Sequence, residues 1–62
     1  MTYRDLDKPV RKVLTSKVSG TIEFEIFGAM YDNGTPKVYL AKSQKNGIDV
    51  YDEFTPIEVG QI

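Results

Sequence analysis

The sequence predicts a mainly β protein: a small barrel or a strongly coiled antiparallel sheet of about five short strands, with a short N-terminal helical turn. Three observations carry this. TIEFEIF, residues 21–27, alternates polar and apolar side chains with the two-residue period of a half-buried strand. KVLTSKV, residues 12–18, is dense in β-branched residues. DNGTP, residues 32–36, holds Asn33-Gly34, a pair that accepts positive φ at both centres of a tight hairpin turn.

At the N-terminus, Tyr3, Leu6, Val10, Val13 and Leu14 fall near helical spacing, and Thr2 with Asp5 resembles a weak cap. Pro9 forbids a continuous helix, because it removes an amide and clashes with the preceding turn. The expectation is a single helical turn before Pro9, or one starting at Asp7. The first hairpin then folds on Ser19-Gly20. That register sets Val18 against Thr21, Thr15 against Phe24 and Val13 against Ile26. Residues opposite one another in a ladder share a face. Val13 and Thr15 are therefore expected inside with Ile22, Phe24 and Ile26, and Glu23 and Glu25 outside.

Folding on Asn33-Gly34 sets Ala29 against Val38, Gly28 against Tyr39 and Phe27 against Leu40. Here the inward residues of the second strand are odd-numbered, whereas the first hairpin makes them even-numbered. One extra residue, a β-bulge at or near Phe27-Gly28, reconciles the two and bends the strand. Phe27 and Ala29 are then core residues, and Tyr39 is placed to lay its ring over Gly28. The alternative is an irregular loop through 28–36. Residues 38–42 and 48–54 form the next strands, joined by a loop of three or five residues within 43–47 so that Val38, Leu40, Ile48 and Val50 share a face. Pro56 holds Thr55 extended, and 57–59 reads as a short edge strand. These elements resemble an SH3-like or OB-like small barrel; an open antiparallel sheet covered by an N-terminal helix is the second architecture.

With 62 residues the chain is read as one domain, 1–62, starting at Met1 with no visible tag. A domain of this size buries about 60 % of the surface its unfolded chain exposes, so its stability is small. It has no cysteine and no histidine. This excludes disulfides, thiolate chemistry, the commonest general base near neutral pH and the commonest transition-metal ligand. The N-terminus lacks the apolar core of a secretory signal, and the longest apolar run, 26–31, is far too short to span a bilayer. A cytoplasmic protein without a membrane partner is expected.

The net charge of −1 conceals an asymmetry. Residues 1–20 carry five basic and two acidic side chains (+3), and residues 21–62 carry three basic and seven acidic (−4). Either the two sets are solvated faces that attract each other, or the molecule presents an acidic face to a basic partner.

Asp49, Asp52 and Glu53 form the densest acidic group, with Asp49 and Glu53 on one strand face, Tyr51 between them and Asp52 on the other. A carboxylate pair needs a deep cleft to act as acid and base, which so short a chain does not make, so no enzyme activity is expected. Asp32 and Asn33 alone do not satisfy the spacing of a calcium loop, and no Gly-rich phosphate loop is present. No metal and no cofactor are expected.

Two binding functions remain. Single-stranded nucleic acid would stack on Tyr39 and Tyr51 with Lys37 and Lys42 on phosphate, although a pI near 5.2 and the neighbouring acids oppose it. Protein binding agrees better with Tyr31, Tyr39, Asp49, Tyr51, Asp52 and Glu53, because tyrosine combines large contact area with few rotatable bonds. The leading expectation is a small non-catalytic regulator or inhibitor, of the kind made by phages and mobile elements, that occupies a partner's surface. A structural subunit, or a homodimer pairing through an edge strand, is the third reading.

Overall fold

Four strands form one antiparallel sheet in the order of the chain. β1 spans Thr2–Ser16, β2 Gly20–Asp32, β3 Thr35–Lys45 and β4 Ile48–Phe54, and a single-turn helix, α1, spans Pro56–Val59. The computed structural model describes residues 2–60. Strands account for 78 % of them, so the mainly β expectation holds, but there are four strands rather than about five and the sheet is not closed into a barrel.

No helical turn forms at the N-terminus. β1 pairs along β2 from Thr2↔Tyr31 to Ser16↔Gly20, interrupted between Asp5 and Val10. Pro9 lies in that interruption, where its missing amide costs no ladder hydrogen bond. Tyr3 and Val10 belong to the two paired segments, and Leu6 lies in the irregularity between them, packed against the core, so their helical spacing reflects no helix.

The first hairpin closes on residues 17–19 rather than on Ser19-Gly20. Gly20 has φ +73°, and the Ser16 hydroxyl accepts hydrogen bonds from the Val18 and Ser19 amides, each at 3.2 Å. A three-residue turn with one positive-φ glycine is therefore cheaper here than a two-residue turn that forces Ser19 into the same region. Thr15 faces Thr21 instead of Phe24, a shift of three residues. An odd shift exchanges the faces of a strand. Leu14 and Ser16 point inward, while Val13 is 65 % exposed.

The parity switch in β2 is present where two hairpins require it. Ile26 faces Ala41 and Gly28 faces Leu40, so Phe27 is the extra residue of a bulge. Inward residues change from Ile22, Phe24 and Ile26 to Ala29. Phe27 itself does not enter the core, because both residues of the bulge project to the outer face. The ring over Gly28 is Tyr3, not Tyr39: a Cβ added at Gly28 would lie 2.7 Å from the Tyr3 Cζ. The ring shields the backbone that glycine leaves bare.

Asn33-Gly34 forms the expected two-residue turn, with φ 51° and 80°. The β3–β4 connection is equally short: Asn46-Gly47, with φ 53° and 79°, joins Lys45 to Ile48 directly. In this register Leu40 faces Glu53 on the outer side, and Val50 faces Ser43 on the inner side, so Leu40 and Val50 do not share a face.

Residues 57–59 are helical, not a strand. Thr55 is extended at φ −77°, ψ 159°, and acts as the N-cap, with Pro56 in the first turn. The Glu58 amide donates to Thr55 Oγ1 at 3.2 Å, and the Thr55 amide donates to Glu58 Oε1 at 2.9 Å. Proline at the first helical position loses nothing, since that amide has no intrahelical partner. The turn folds Val59 onto the core beside Leu14, Phe24, Ile26, Ala41 and Phe54. Phe24 and Phe54 meet edge to face at 5.0 Å. Lys12 Nζ donates to the Val59 carbonyl at 2.8 Å and ties the end of α1 to β1.

The sheet curls until its two outer strands touch. The Ser16 hydroxyl donates to Asp52 Oδ2 on β4, and Asp52 Oδ1 accepts from the Glu53 amide at 2.7 Å. At the other end of β1, the exposed Tyr3 hydroxyl donates to Asp5 Oδ1 at 2.6 Å. This hydrogen bond, with smaller contributions from desolvation and the nearby charge, raises the Tyr3 pKa above the ordinary phenol value. The folded-state value being the higher one, the associated stability is present below about pH 10 and is lost as pH rises through the raised value. In an absorbance titration of the phenolates, Asp5→Asn should make one tyrosine ionise at lower pH. An unchanged titration would contradict the assignment.

Candidate functional site

The bulge at Phe27 determines what the outer face of the sheet presents. Pushed out of the core, the Phe27 ring meets Tyr51 edge to face at 6.1 Å, and Lys42 Nζ lies 6.0 Å from its centroid. Tyr51 remains 64 % exposed. Lys42 faces Tyr51 across β3 and β4, and Glu25 across β2 and β3. Glu25 in turn lies 3.9 Å from Arg11 Nε on β1. One row of alternating charge thus crosses all four strands and ends on an aromatic pair. With Arg11 well exposed and its Nε 3.9 Å from the half-buried Glu25, this pair adds little stability.

Beside this row is an open hollow of about 490 Å³ lined by Phe27, Leu40, Ala41, Tyr51, Asp52 and Glu53. Phe27, Leu40 and Tyr51 make its outer-face lining largely apolar, with Glu53 as the acidic side chain on that face. A half-buried phenylalanine against an exposed tyrosine, with an aliphatic neighbour and charges at the border, has the composition of a protein-contact patch.

Of the residues singled out from the sequence, Asp49, Tyr51 and Glu53 share this outer face, as the alternation required. Asp52 is on the inner face and is engaged by Ser16. Tyr39 also faces inward, opposite Ala29 and Phe54, and packs against the core. Tyr39 and Tyr51 are therefore not neighbours on one surface. Tyr31 sits near the Asn33-Gly34 turn with the Arg4 guanidinium 5.9 Å from its ring centroid. Lys37 is the extra residue where β3 bulges opposite Met30 and Tyr31, five positions along the strand from Lys42.

Phe27 and Leu40 belong to the patch although the sequence pattern assigned both to the core. The readable signal for Phe27 was the bulge itself, since its two residues lie side by side on one face. No group of three or more acidic side chains placed to hold a metal occurs among the described residues, nor is any helix among them long and apolar enough to cross a membrane.

In comparisons with known proteins, no family model, no curated protein and no solved structure matches this chain.

Proposed function

We propose that the protein is a non-catalytic binding protein, a regulator or inhibitor that occupies a partner protein's surface through its outer face. The contact residues are Phe27, Leu40, Lys42, Tyr51 and Glu53, with Asp49 at the margin. One observation carries the reading: the bulge sets a half-buried Phe27 against the exposed Tyr51 ring on the outer face rather than in the core. Leaving Tyr51 exposed and Phe27 only half-buried forgoes hydrophobic stability that the rings would contribute if fully buried, and a binding role accounts for their place.

The juxtaposition of Phe27, Tyr51 and Lys42 supports a second reading, stacking of single-stranded nucleic acid. Glu25, Asp49 and Glu53 on the same face repel phosphate and disfavour it. Homodimerisation through β4 is disfavoured by Asp52, whose carboxylate already takes the Glu53 amide on that edge strand.

The test is capture from native cell extract on the immobilised protein, in parallel with Phe27→Ser and Tyr51→Ser. Tyr51→Ser, at an exposed position, should change stability by no more than about 1 kcal/mol, and the half-buried Phe27→Ser should lose more while keeping the parent's circular dichroism spectrum. A protein held by the parent and lost from both variants supports the proposal. Equal capture on all three overturns it. Binding of a labelled oligonucleotide that weakens with salt, and is lost from Tyr51→Ser, would instead favour the second reading.

A further inference from the structure

The sheet is split at one end. The β2–β3 ladder runs only as far as Glu25↔Lys42. Beyond that point β2 continues with β1 to Gly20, and β3 continues with β4 to Lys45. Two hairpins therefore diverge, and the inner edges of their middle strands face each other across a gap. Ser43 Oγ, donating to the Glu23 carbonyl at 2.8 Å, bridges the apex in place of a backbone pair. Past it lies an open cleft of about 670 Å³, walled by residues 22–25 on one side and 42–45 on the other.

The backbone that lines this cleft is oriented for pairing. The Glu23 carbonyl points toward β3. Backbone groups alternate sides along a strand, so the Thr21 amide and carbonyl point the same way, and those of Gln44, two residues past the paired Lys42, point back from the facing wall. Side chains at the cleft differ between faces. On the inner face Ile22 lines the cleft, and Val50 and Ile48, the latter 69 % exposed, stand on β4 behind the β3 wall, opposite Ser43 and Lys45. On the outer face stand two carboxylates, Glu23 on β2 and Asp49 on β4, the latter opposite Gln44. Three cations also line the cleft: Arg11 lies near Glu25 and Lys42 over the Phe27 ring, while Lys45 stands on the inner face opposite Ile48, away from Glu23 and Asp49.

We infer that the cleft accepts an extended segment of a partner protein as an added strand, one whose side chains alternate between apolar and basic. Its backbone pairs with the inner edges of β2 and β3. Its apolar side chains meet Ile22 on the face that also carries Val50 and Ile48, and its basic side chains lie between Glu23 and Asp49. This rests on the reading of the protein as a protein binder and names the kind of partner, since the cleft adjoins the Phe27–Tyr51 patch at Lys42.

The probe is a short capped peptide of alternating lysine and valine, titrated into the isotopically labelled full chain and followed by amide chemical shifts. The expected shifts are confined to residues 20–24 and 43–49, and a peptide of alternating glutamate and valine produces none. Glu23→Lys with Asp49→Lys should weaken the lysine–valine peptide at least about tenfold, a change of about 1.4 kcal/mol, and admit the glutamate–valine peptide, while the circular dichroism spectrum stays that of the parent. Absence of cleft shifts at saturating peptide, or equal response to both peptides, overturns the inference. Tyr51→Ser separates the two proposals. Loss of the captured partner without cleft shifts leaves the outer face standing alone; cleft shifts with capture unaffected by Tyr51→Ser leave the cleft standing alone.

Discussion

Phe24→Ala should unfold most of the protein at room temperature. Phe24 is fully buried at the centre of the core and meets Phe54 edge to face. Truncating a buried phenylalanine costs about 3–5 kcal/mol, part of it for the cavity left behind. A chain of this length holds roughly 3–9 kcal/mol in total at the usual stability per residue. Two features keep the cavity from collapsing. Ala41, opposite Ile26 in the same core, offers no side chain that could swing in, and Phe54 is held by β4 on one side and the Thr55 cap on the other. Urea denaturation followed by far-ultraviolet circular dichroism measures the loss. Val13→Thr is the companion experiment: with Val13 exposed it should shift stability by no more than about 0.5 kcal/mol. In the register that folds on Ser19-Gly20, the same change would bury a hydroxyl and cost more. A large loss for Val13→Thr beside a small one for Phe24→Ala would contradict the packing described.

Asp52→Ala should cost about 1–3 kcal/mol, the range for leaving a buried hydrogen-bonding group unsatisfied. Asp52 accepts from two donors on different strands, the Ser16 hydroxyl and the Glu53 amide. Ser16 is itself buried and accepts from the Val18 and Ser19 amides. The turn of the first hairpin, the hydroxyl, the carboxylate and the edge of β4 thus form one connected network. Ser16→Ala and Asp52→Ala combined should cost clearly less than the sum of the single changes, because each alone breaks the same connection. Faster hydrogen exchange at the Val18 and Ser19 amides is expected in Ser16→Ala. Strict additivity of the two substitutions would show that the network is not a unit.

The parts of this fold legible in the sequence are those fixed by local backbone chemistry. Asn33-Gly34 sets its own turn, and the parity conflict between Ile26 and Ala29 requires a bulge where one occurs. The same rule was available at Asn46-Gly47. It was masked by the assumption that Leu40 and Val50 share a face, which demanded an odd-length loop. Leu40 is instead left on the outer face, because Phe24, Phe54 and Val59 already fill the small core with Ile26 and Leu14. The register of the first hairpin depended on a side chain capping a turn, Ser16, and nothing in the apolar pattern distinguishes a three-residue turn there from a two-residue one. Pro56 illustrates the same limit. It ends a strand in either reading, and only the Thr55–Glu58 pair signals that it also begins a helix. At the candidate site, strand alternation correctly grouped Asp49, Tyr51 and Glu53 and separated Asp52. The Asn33-Gly34 register assigns Phe27 to the odd-numbered inward set, whereas the bulge falls on Phe27 itself and leaves it on the outer face.

The strand order β1-β2-β3-β4 also governs the route by which the chain reaches this state. Every ladder joins strands adjacent in sequence, so each hairpin closes a short loop at small entropic cost. Topologies dominated by such local pairings reach their transition state quickly. The contacts that span the chain, Ser16 with Asp52 and Lys12 with Val59, must wait until the meander exists. They therefore act as a late latch. Weakening it should accelerate opening while scarcely slowing formation, so these polar contacts, together with the packing of Phe54 and Val59 on Leu14 and Phe24, act chiefly on the lifetime of the native state.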